Sequence, residues 1–230
     1  MTDFHSHSLN QKELYFGAVY LLFEAVLFPP VLQYINLLLP TPLPQSVVNF
    51  LFFFINFGAV ALIFRKYLKT QVRQLPDVLG KVLGVAIIGF FVYWTMNFLL
   101  AQILLAIDPH HFSINDVTIQ SLVAEDYALM CIGTVIFVPI AEETLFRGLL
   151  FRGLYDRSPV LAWALSVLLF CGVHVLNYIG FYPIGTIFLC FLQYLPAGVC
   201  LAGAYRLSGS LFCPILIHAA VNLLGVMAMR

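Results

Sequence analysis

Two adjacent carboxylates, Glu142 and Glu143, interrupt an apolar stretch at residues 139–152. An ionised carboxylate at membrane depth is costly, so such residues are usually retained for a partner or for chemistry. On a helix, Glu143 and Arg147 occupy positions i and i+4 of one face and can pair, whereas Glu142 points about 100° away. We therefore expect one acid to support the structure and the other to act in chemistry. A membrane salt bridge beside an idle acid is the simpler alternative.

Further polar side chains interrupt two later apolar stretches: His174 in one, and His218 with Asn222 in the other. His218 and Asn222 are at i and i+4, so they share a helical face, and the same spacing would let Phe170 pack beside His174. Singly, such residues usually hold membrane helices together. Together with Glu142 they supply a base, two imidazoles and an amide donor, which are the components of a hydrolytic site.

Two chemistries fit these side chains. In the first, a buried carboxylate takes a proton from water, the water attacks an amide carbonyl, and His and Asn donors stabilise the oxyanion without a metal. In the second, Glu and His residues bind zinc, which activates the water. The HExxH signature of many zinc proteases is absent from the sequence. We find no convincing Ser or Cys nucleophile beside a candidate base, although Thr144 follows Glu143 directly.

The composition excludes an ordinary soluble domain. The chain has 230 residues, 62% of them hydrophobic and only 10% charged, with a net charge of zero and a mean hydropathy of +0.97. This length suits one domain, and these values are typical of a polytopic helical membrane protein that lacks a basic surface for nucleic acid. The five cysteines lie in apolar stretches without a CxxC pair, which predicts small core residues.

Apolar stretches recur along the whole chain and predict an all-α, polytopic transmembrane helix bundle with a central polar cavity. We expect about seven spans, at residues 14–39, 47–64, 82–107, 127–154, 159–179, 184–207 and 211–229. The basic loop 65–81 is the strongest orientation signal, and the loop 108–126 contains no Lys or Arg. The positive-inside rule therefore predicts a cytoplasmic N-terminus and an external C-terminus.

Other polar residues receive simpler interpretations. His5 and His7 are expected to be solvated residues of the N-terminal tail, which lacks the pattern of a cleaved signal peptide. His110 and His111 are predicted to be surface histidines of an external loop. Glu24 is a lone acid in the first span, where helix packing or a water-filled crevice explains it as well as a function does.

Three short motifs follow one another on three apolar spans: EETLFR from Glu142, FCGVH from Phe170 and HAAVN from His218. They resemble the EExxxR, FxxxH and HxxxN motifs of the CAAX protease and bacteriocin-processing (CPBP or Abi) family of intramembrane proteases. The resemblance covers roughly residues 132–224. It implies a helix bundle around a conical cavity that admits an extended peptide, with residues 1–125 supplying N-terminal helices and loops and 126–230 the catalytic core of one integral membrane domain.

The resemblance also implies a role for each motif residue. Glu142 would be the activating base, and His174 would help to orient the water. His218 and Asn222 would form the oxyanion site.

Glu143 and Arg147 would support the helix and the base. The family has been described both as metalloproteases and as metal-independent glutamate proteases. We favour the glutamate type without a cofactor, because an Asn suits an oxyanion donor better than a zinc ligand. If zinc is used instead, the resemblance makes Glu142, His174 and His218 its ligands.

The resemblance implies a peptide or membrane-protein substrate within the lipid bilayer, and no nucleic acid. The family includes enzymes that cleave after a prenylated cysteine, and small bacterial members linked to bacteriocin maturation or self-immunity. This compact chain resembles the bacterial kind, so we expect a bacterial cell membrane and a role in peptide maturation or immunity. A non-catalytic immunity or peptide-binding protein is the alternative. A transporter is weaker, since we see no inverted repeat of broken helices.

Overall fold

Helices make up almost all of the computed structural model, which describes residues 9–230; His5 and His7 lie outside this part. The described residues form no strand beyond an isolated bridge between Ile179 and Tyr182. The predicted all-α class is therefore confirmed. The eight helices of this part are α1 Gln11–Leu37, α2 Gln45–Ile63, α3 Arg65–Ile107, α4 Ile114–Glu125, α5 Tyr127–Tyr155, α6 Pro159–Leu176, α7 Ile184–Ser208 and α8 Phe212–Ala228.

Six of these helices, α1, α2, α3, α5, α6 and α7, are long and apolar enough to cross a membrane. The seventh expected span, α8, is a shorter apolar helix of 17 residues. Large apolar side chains such as Leu22, Ile88 and Val160 are exposed on the outside of the bundle, where lipid can cover them. The chain is thus an integral membrane protein, as its composition predicts.

The basic segment 65–81 is the first part of α3 and not a loop, so this expectation was wrong. α3 has 43 residues and is about 65 Å long, roughly twice the ~30 Å of a hydrocarbon core. Its basic part is amphipathic: Tyr67 and Gln71, one turn apart, are buried, while most of the charged side chains are exposed. Gln71 Oε1 accepts a hydrogen bond from the Leu211 N–H at 2.8 Å, which ties the start of α3 to the start of α8.

The acidic loop 108–126 is also partly helical, since α4 lies within it. The Ser113 side chain caps α4 by accepting a hydrogen bond from the Asp116 N–H at 3.2 Å. Ile114, Leu122 and Val123 are buried against the bundle. Because only these few residues face the bundle, the sequence of α4 shows little of the apolar periodicity that marks a helix. Of the two histidines predicted at the surface, His110 is exposed and His111 is partly buried.

α5 is the central helix. Half of the residues in its apolar membrane-crossing part are buried inside the protein, compared with 17–39% in the other five helices that are long enough to cross a membrane. It contains two π-helical segments, Gly133–Phe137 and Thr144–Arg152, on either side of the carboxylate pair. The first ends just before Pro139, which has no N–H to donate to the preceding turn of the helix.

The hydrophobic core lies where α5 packs with α3, α6, α7 and α8. Phe146, Phe151, Leu201, Tyr205 and Ile217 are among its almost fully buried side chains. All five cysteines are free; four are buried and Cys131 is partly buried, as expected for small core residues.

Candidate active site

A cavity of about 790 Å³ opens between the helices. Its walls include residues of α1, α2, α3, α4, α5, α6, α7 and α8. The four residues predicted to be catalytic all line it: Glu142, His174, His218 and Asn222. Glu143 and Arg147 lie behind the wall and are completely buried. The structure therefore gathers residues from three motifs around one space and separates the two acids.

Glu143 is held by two partners. Its Oε2 lies 3.0 Å from Arg147 Nε, and its Oε1 lies 2.9 Å from His218 Nδ1. Arg147 also donates to the Gly198 carbonyl at 3.3 Å, and its guanidinium carbon lies 4.4 Å from the centre of the Phe170 ring. The expected pairing of Glu143 with Arg147 is thus present. Together they link α5 to α6, α7 and α8.

Glu142 differs from its neighbour in both exposure and partners. Its side chain is 19% exposed, and its Oε2 has no hydrogen-bond partner in the described part of the chain. The same Oε2 lies 3.9 Å from His174 Nε2, which is too long for a direct hydrogen bond. Glu142 therefore presents a carboxylate to the cavity beside an imidazole.

His174 has one ring nitrogen committed to the backbone. Its Nδ1 lies 2.8 Å from the Phe170 carbonyl, and a carbonyl only accepts, so Nδ1 carries the proton. In the neutral ring Nε2 is then an acceptor that faces Glu142. Tyr194 stacks on the imidazole with centroids 4.1 Å apart, and Phe170 packs beside it at 4.7 Å as the spacing predicts. These rings fix the orientation of the imidazole.

His218 and Asn222 are each tied to α5 by one group. If Glu143 is ionised, His218 donates through Nδ1, and Nε2 remains as the nitrogen available to the cavity. Asn222 Nδ2 donates to the Thr134 carbonyl at 2.8 Å, which leaves its second N–H free for another acceptor. Thr134 belongs to the π-helical segment Gly133–Phe137, so this irregular turn supplies the carbonyl that orients Asn222.

Tyr194 and Thr134 are site residues that sequence reasoning missed. Tyr194 lies where α7 is interrupted, between Ile184–Gln193 and Leu195–Ser208, and Pro196 after it was the only local signal. The Thr134 contact is a backbone carbonyl, which residue types do not reveal. Glu24, which was noted without a role, also lines the cavity.

The conditional zinc ligands, Glu142, His174 and His218, all line the cavity. In residues 9–230, no three His, Cys, Asp or Glu side chains are grouped as metal ligands. His218 directs Nδ1 at Glu143 and not at Glu142 or His174. We therefore derive no step through a metal, and metal dependence stays a prediction to be tested.

Acid, imidazole and amide groups around one cavity among membrane helices are the kinds of group that hydrolysis uses. Residues 124–224 match the model of a family described as type II CAAX prenyl endopeptidase Rce1-like. This segment runs from the end of α4 through most of α8 and contains all three motifs. The match confirms the resemblance seen in the motifs and supports an intramembrane protease.

Comparisons with curated proteins and with solved structures found no match. The match leaves residues before 124 outside the family model. The division of the chain at residue 125 stays a prediction.

Proposed function

We propose that this protein is an intramembrane endopeptidase of the glutamate type, with Glu142 as the base that activates water. The observation that carries the proposal is the difference between two neighbouring acids. Glu143 has both oxygens engaged behind the cavity wall, whereas Glu142 faces the cavity beside His174. A carboxylate without a fixed partner is free to accept a proton.

Glu142 and His174 together hold the attacking water. Glu142 takes a proton from the water as its oxygen adds to the amide carbonyl. His174 orients the same water through Nε2, because Nδ1 is already bound to the Phe170 carbonyl. A base positioned in this way typically contributes about 10²–10⁴-fold to the rate.

His218 and Asn222 stabilise the oxyanion. Asn222 offers the N–H that Thr134 does not use. His218 donates through Nε2 when the ring carries both protons, and its positive charge then faces the carboxylate of Glu143. One preorganised donor of this kind is worth about 2.7–4 kcal/mol in the transition state.

The substrate class we propose is a membrane-associated peptide or a membrane-protein segment. Apolar and aromatic side chains such as Phe52, Trp94 and Ile217 line the cavity together with the polar site, which suits a chain segment of mixed polarity. Peptide maturation or self-immunity in a bacterial membrane remains the favoured role. Because the family description names prenyl endopeptidases, a prenylated CAAX peptide is included as a probe.

The test is cleavage of a quenched peptide library and a farnesylated CAAX peptide by the detergent-purified protein. Wild type, Glu142→Gln and His218→Ala are compared with and without a strong chelator. We expect cleavage that survives the chelator and falls at least 100-fold in both variants. Cleavage that the chelator abolishes and zinc restores would contradict the glutamate type and assign a metal.

Two further outcomes bear on the class of function. If wild type cleaves neither probe, the non-catalytic immunity or peptide-binding alternative gains. If Glu142→Gln cleaves as fast as wild type, Glu142 is not the base. Thermal unfolding of each variant in detergent is the control. A variant that unfolds at the wild-type temperature but does not cleave has lost activity and not its fold.

A further inference from the structure

Glu24 on α1 lies in the wall of the same cavity as Glu142. Glu24 precedes the matched segment 124–224 by a hundred residues, so it belongs to none of the three motifs. The cavity therefore contains, besides Asp116, a further acid that the mechanism above leaves unused.

The contacts of Glu24 orient one of its carboxyl oxygens and leave the other free. Asn56 Nδ2 donates to Glu24 Oε1 at 3.3 Å. The Tyr20 hydroxyl donates to Asn56 Oδ1 at 2.9 Å, which fixes the amide with its nitrogen towards Glu24. Among the described residues, no hydrogen bond occupies Glu24 Oε2.

Structural acids of this protein look different. Glu13, also on α1, accepts the Tyr67 N–H with Oε1 and the Asn10 N–H with Oε2, each at 3.0 Å. Glu143 likewise has a partner on each oxygen. Both of these buried acids use both oxygens, so the half-engaged Glu24, which lines the cavity, suits a group that meets a substrate.

The backbone of α1 is irregular at this position. Phe23–Leu27 is a π-helical segment, and π-helical turns are frequent at functional sites. Within it Phe23, Val26 and Leu27 are exposed on the lipid side, whereas Glu24 is partly buried and lines the cavity. The irregular turn thus presents one acid inward from an otherwise lipid-facing segment.

We propose that Glu24 is a further catalytic residue, the general acid that protonates the leaving amine when the peptide bond breaks. This inference rests on the proposed endopeptidase function. Two carboxyl groups that line one cavity among membrane helices favour holding a shared proton over both being ionised, which gives one of them the role of an acid. Glu142, beside an imidazole, is suited to act as the carboxylate, and Glu24, beside neutral Asn56 and Tyr20, is suited to hold the proton.

The reaction balances with these two acids. A water O–H bond breaks, its proton moves to Glu142, and the oxygen bonds to the carbonyl carbon. The C–N bond then breaks, and the nitrogen keeps the electron pair and takes the proton of Glu24. Glu24, now a carboxylate, regains a proton from Glu142 through water, so both groups return to their starting forms.

The test compares an amide with an ester. A peptide that the wild type cleaves is made again as a depsipeptide, in which oxygen replaces the scissile NH. An amine must be protonated to leave, whereas an alkoxide needs far less assistance. We expect Glu24→Gln to lower kcat for the amide at least 100-fold and for the ester less than about 10-fold.

Glu13→Gln is the matched control, because it removes a structural acid from the same helix outside the cavity. It should leave the amide-to-ester ratio unchanged whatever it does to stability. Glu24→Asp, which keeps an acid, should retain more amide cleavage than Glu24→Gln. Glu142→Gln should lose cleavage of both the amide and the ester.

Each result decides between distinct conclusions. Equal loss of amide and ester cleavage in a folded Glu24→Gln, or wild-type rates on both, would overturn the general-acid role while leaving the endopeptidase intact. Should Glu24→Gln fail to fold, Glu24→Met, which removes the acid with an apolar side chain suited to a membrane helix, takes its place, and an unchanged amide-to-ester ratio in it would overturn the general-acid role. Failure of wild type to cleave any peptide of the library or the farnesylated probe would reject the proposed function itself.

Discussion

Glu142 and Glu143 occupy adjacent positions of α5 and make entirely different contacts. Glu143 is completely buried and bound to Arg147 and His218, whereas Glu142 is partly exposed to the cavity. A buried ion pair contributes little net stability, but a single buried charge left without its partner is strongly destabilising. At the scale of residues, the site therefore depends on a supporting pair as much as on the acid that faces the cavity.

Replacing Arg147 by Met should destabilise the protein by about 3–5 kcal/mol, because Glu143 would remain buried without its cation. The double variant Arg147→Met with Glu143→Gln should lose less of its unfolding free energy, since no buried charge is left without a partner. Thermal unfolding in detergent measures both. A double variant less stable than Arg147→Met alone would show that the pair does more than neutralise charge.

Replacing Tyr194 by Leu should lower kcat about 10- to 100-fold, because the ring that stacks on His174 would be lost and the imidazole could turn. Tyr194→Phe keeps the ring and should stay within a few-fold of wild type. The measurement is kcat and KM on a peptide that wild type cleaves. A similar loss in both variants would instead assign the effect to the hydroxyl group.

At the scale of elements, α5 positions the site because its neighbours approach it closely. Gly198 on α7 accepts the Arg147 hydrogen bond with its carbonyl and packs directly on α6. A Cβ built at Gly198 would lie 2.9 Å from Val167 Cγ1 and 3.4 Å from the Val167 carbonyl oxygen. Since a β-branched side chain has few rotamers, Val167 cannot readily move aside.

Gly198→Ala should therefore destabilise the bundle by about 1–3 kcal/mol and reduce cleavage, because α7 must shift away from α6 and from Arg147. Gly203→Ala on the same helix is the control. Its Cβ would meet only Trp163 Cη2 at 3.7 Å, an ordinary contact, so stability should be unchanged or slightly higher. Thermal midpoints compare them, and equal midpoints would contradict the close-approach argument.

At the scale of the whole molecule, the distribution of charge predicts how the bundle is oriented in the membrane. The basic first part of α3 and the basic end of α5 lie on the side predicted to be cytoplasmic, and the loop with α4 has no Lys or Arg. α8, with 17 residues, is about 26 Å long, slightly less than the hydrocarbon core. Such a mismatch is tolerated by local thinning of the bilayer.

We predict that a tag at the N-terminus is digested only from the cytoplasmic side and a tag at the C-terminus only from outside. We expect this result because seven helices cross the membrane in the predicted topology and the basic segments lie on the cytoplasmic side. Protease protection in sealed inverted vesicles and intact cells measures this. Both tags on the same side would show that α8 or another helix does not cross.

The membrane location, the helical class and the three motifs could be predicted from the sequence, because hydropathy and spacing are local properties. The pairing of Glu143 with Arg147 and the packing of Phe170 beside His174 followed from one helical turn. The extent of α3 and the presence of α4 did not follow from the sequence, because each added helical segment buries only a few residues and leaves little periodic signal.

Contacts between distant parts of the chain were decided only by the tertiary structure. The bond from Glu143 to His218 joins residues 75 positions apart, and the stacking of Tyr194 on His174 depends on where α7 is interrupted. The sequence determined which polar side chains lie within apolar helices and therefore need polar partners. Helix rotation and packing, which no local spacing encodes, determined that Glu143 would be enclosed and that Glu142 and Glu24 would face one cavity.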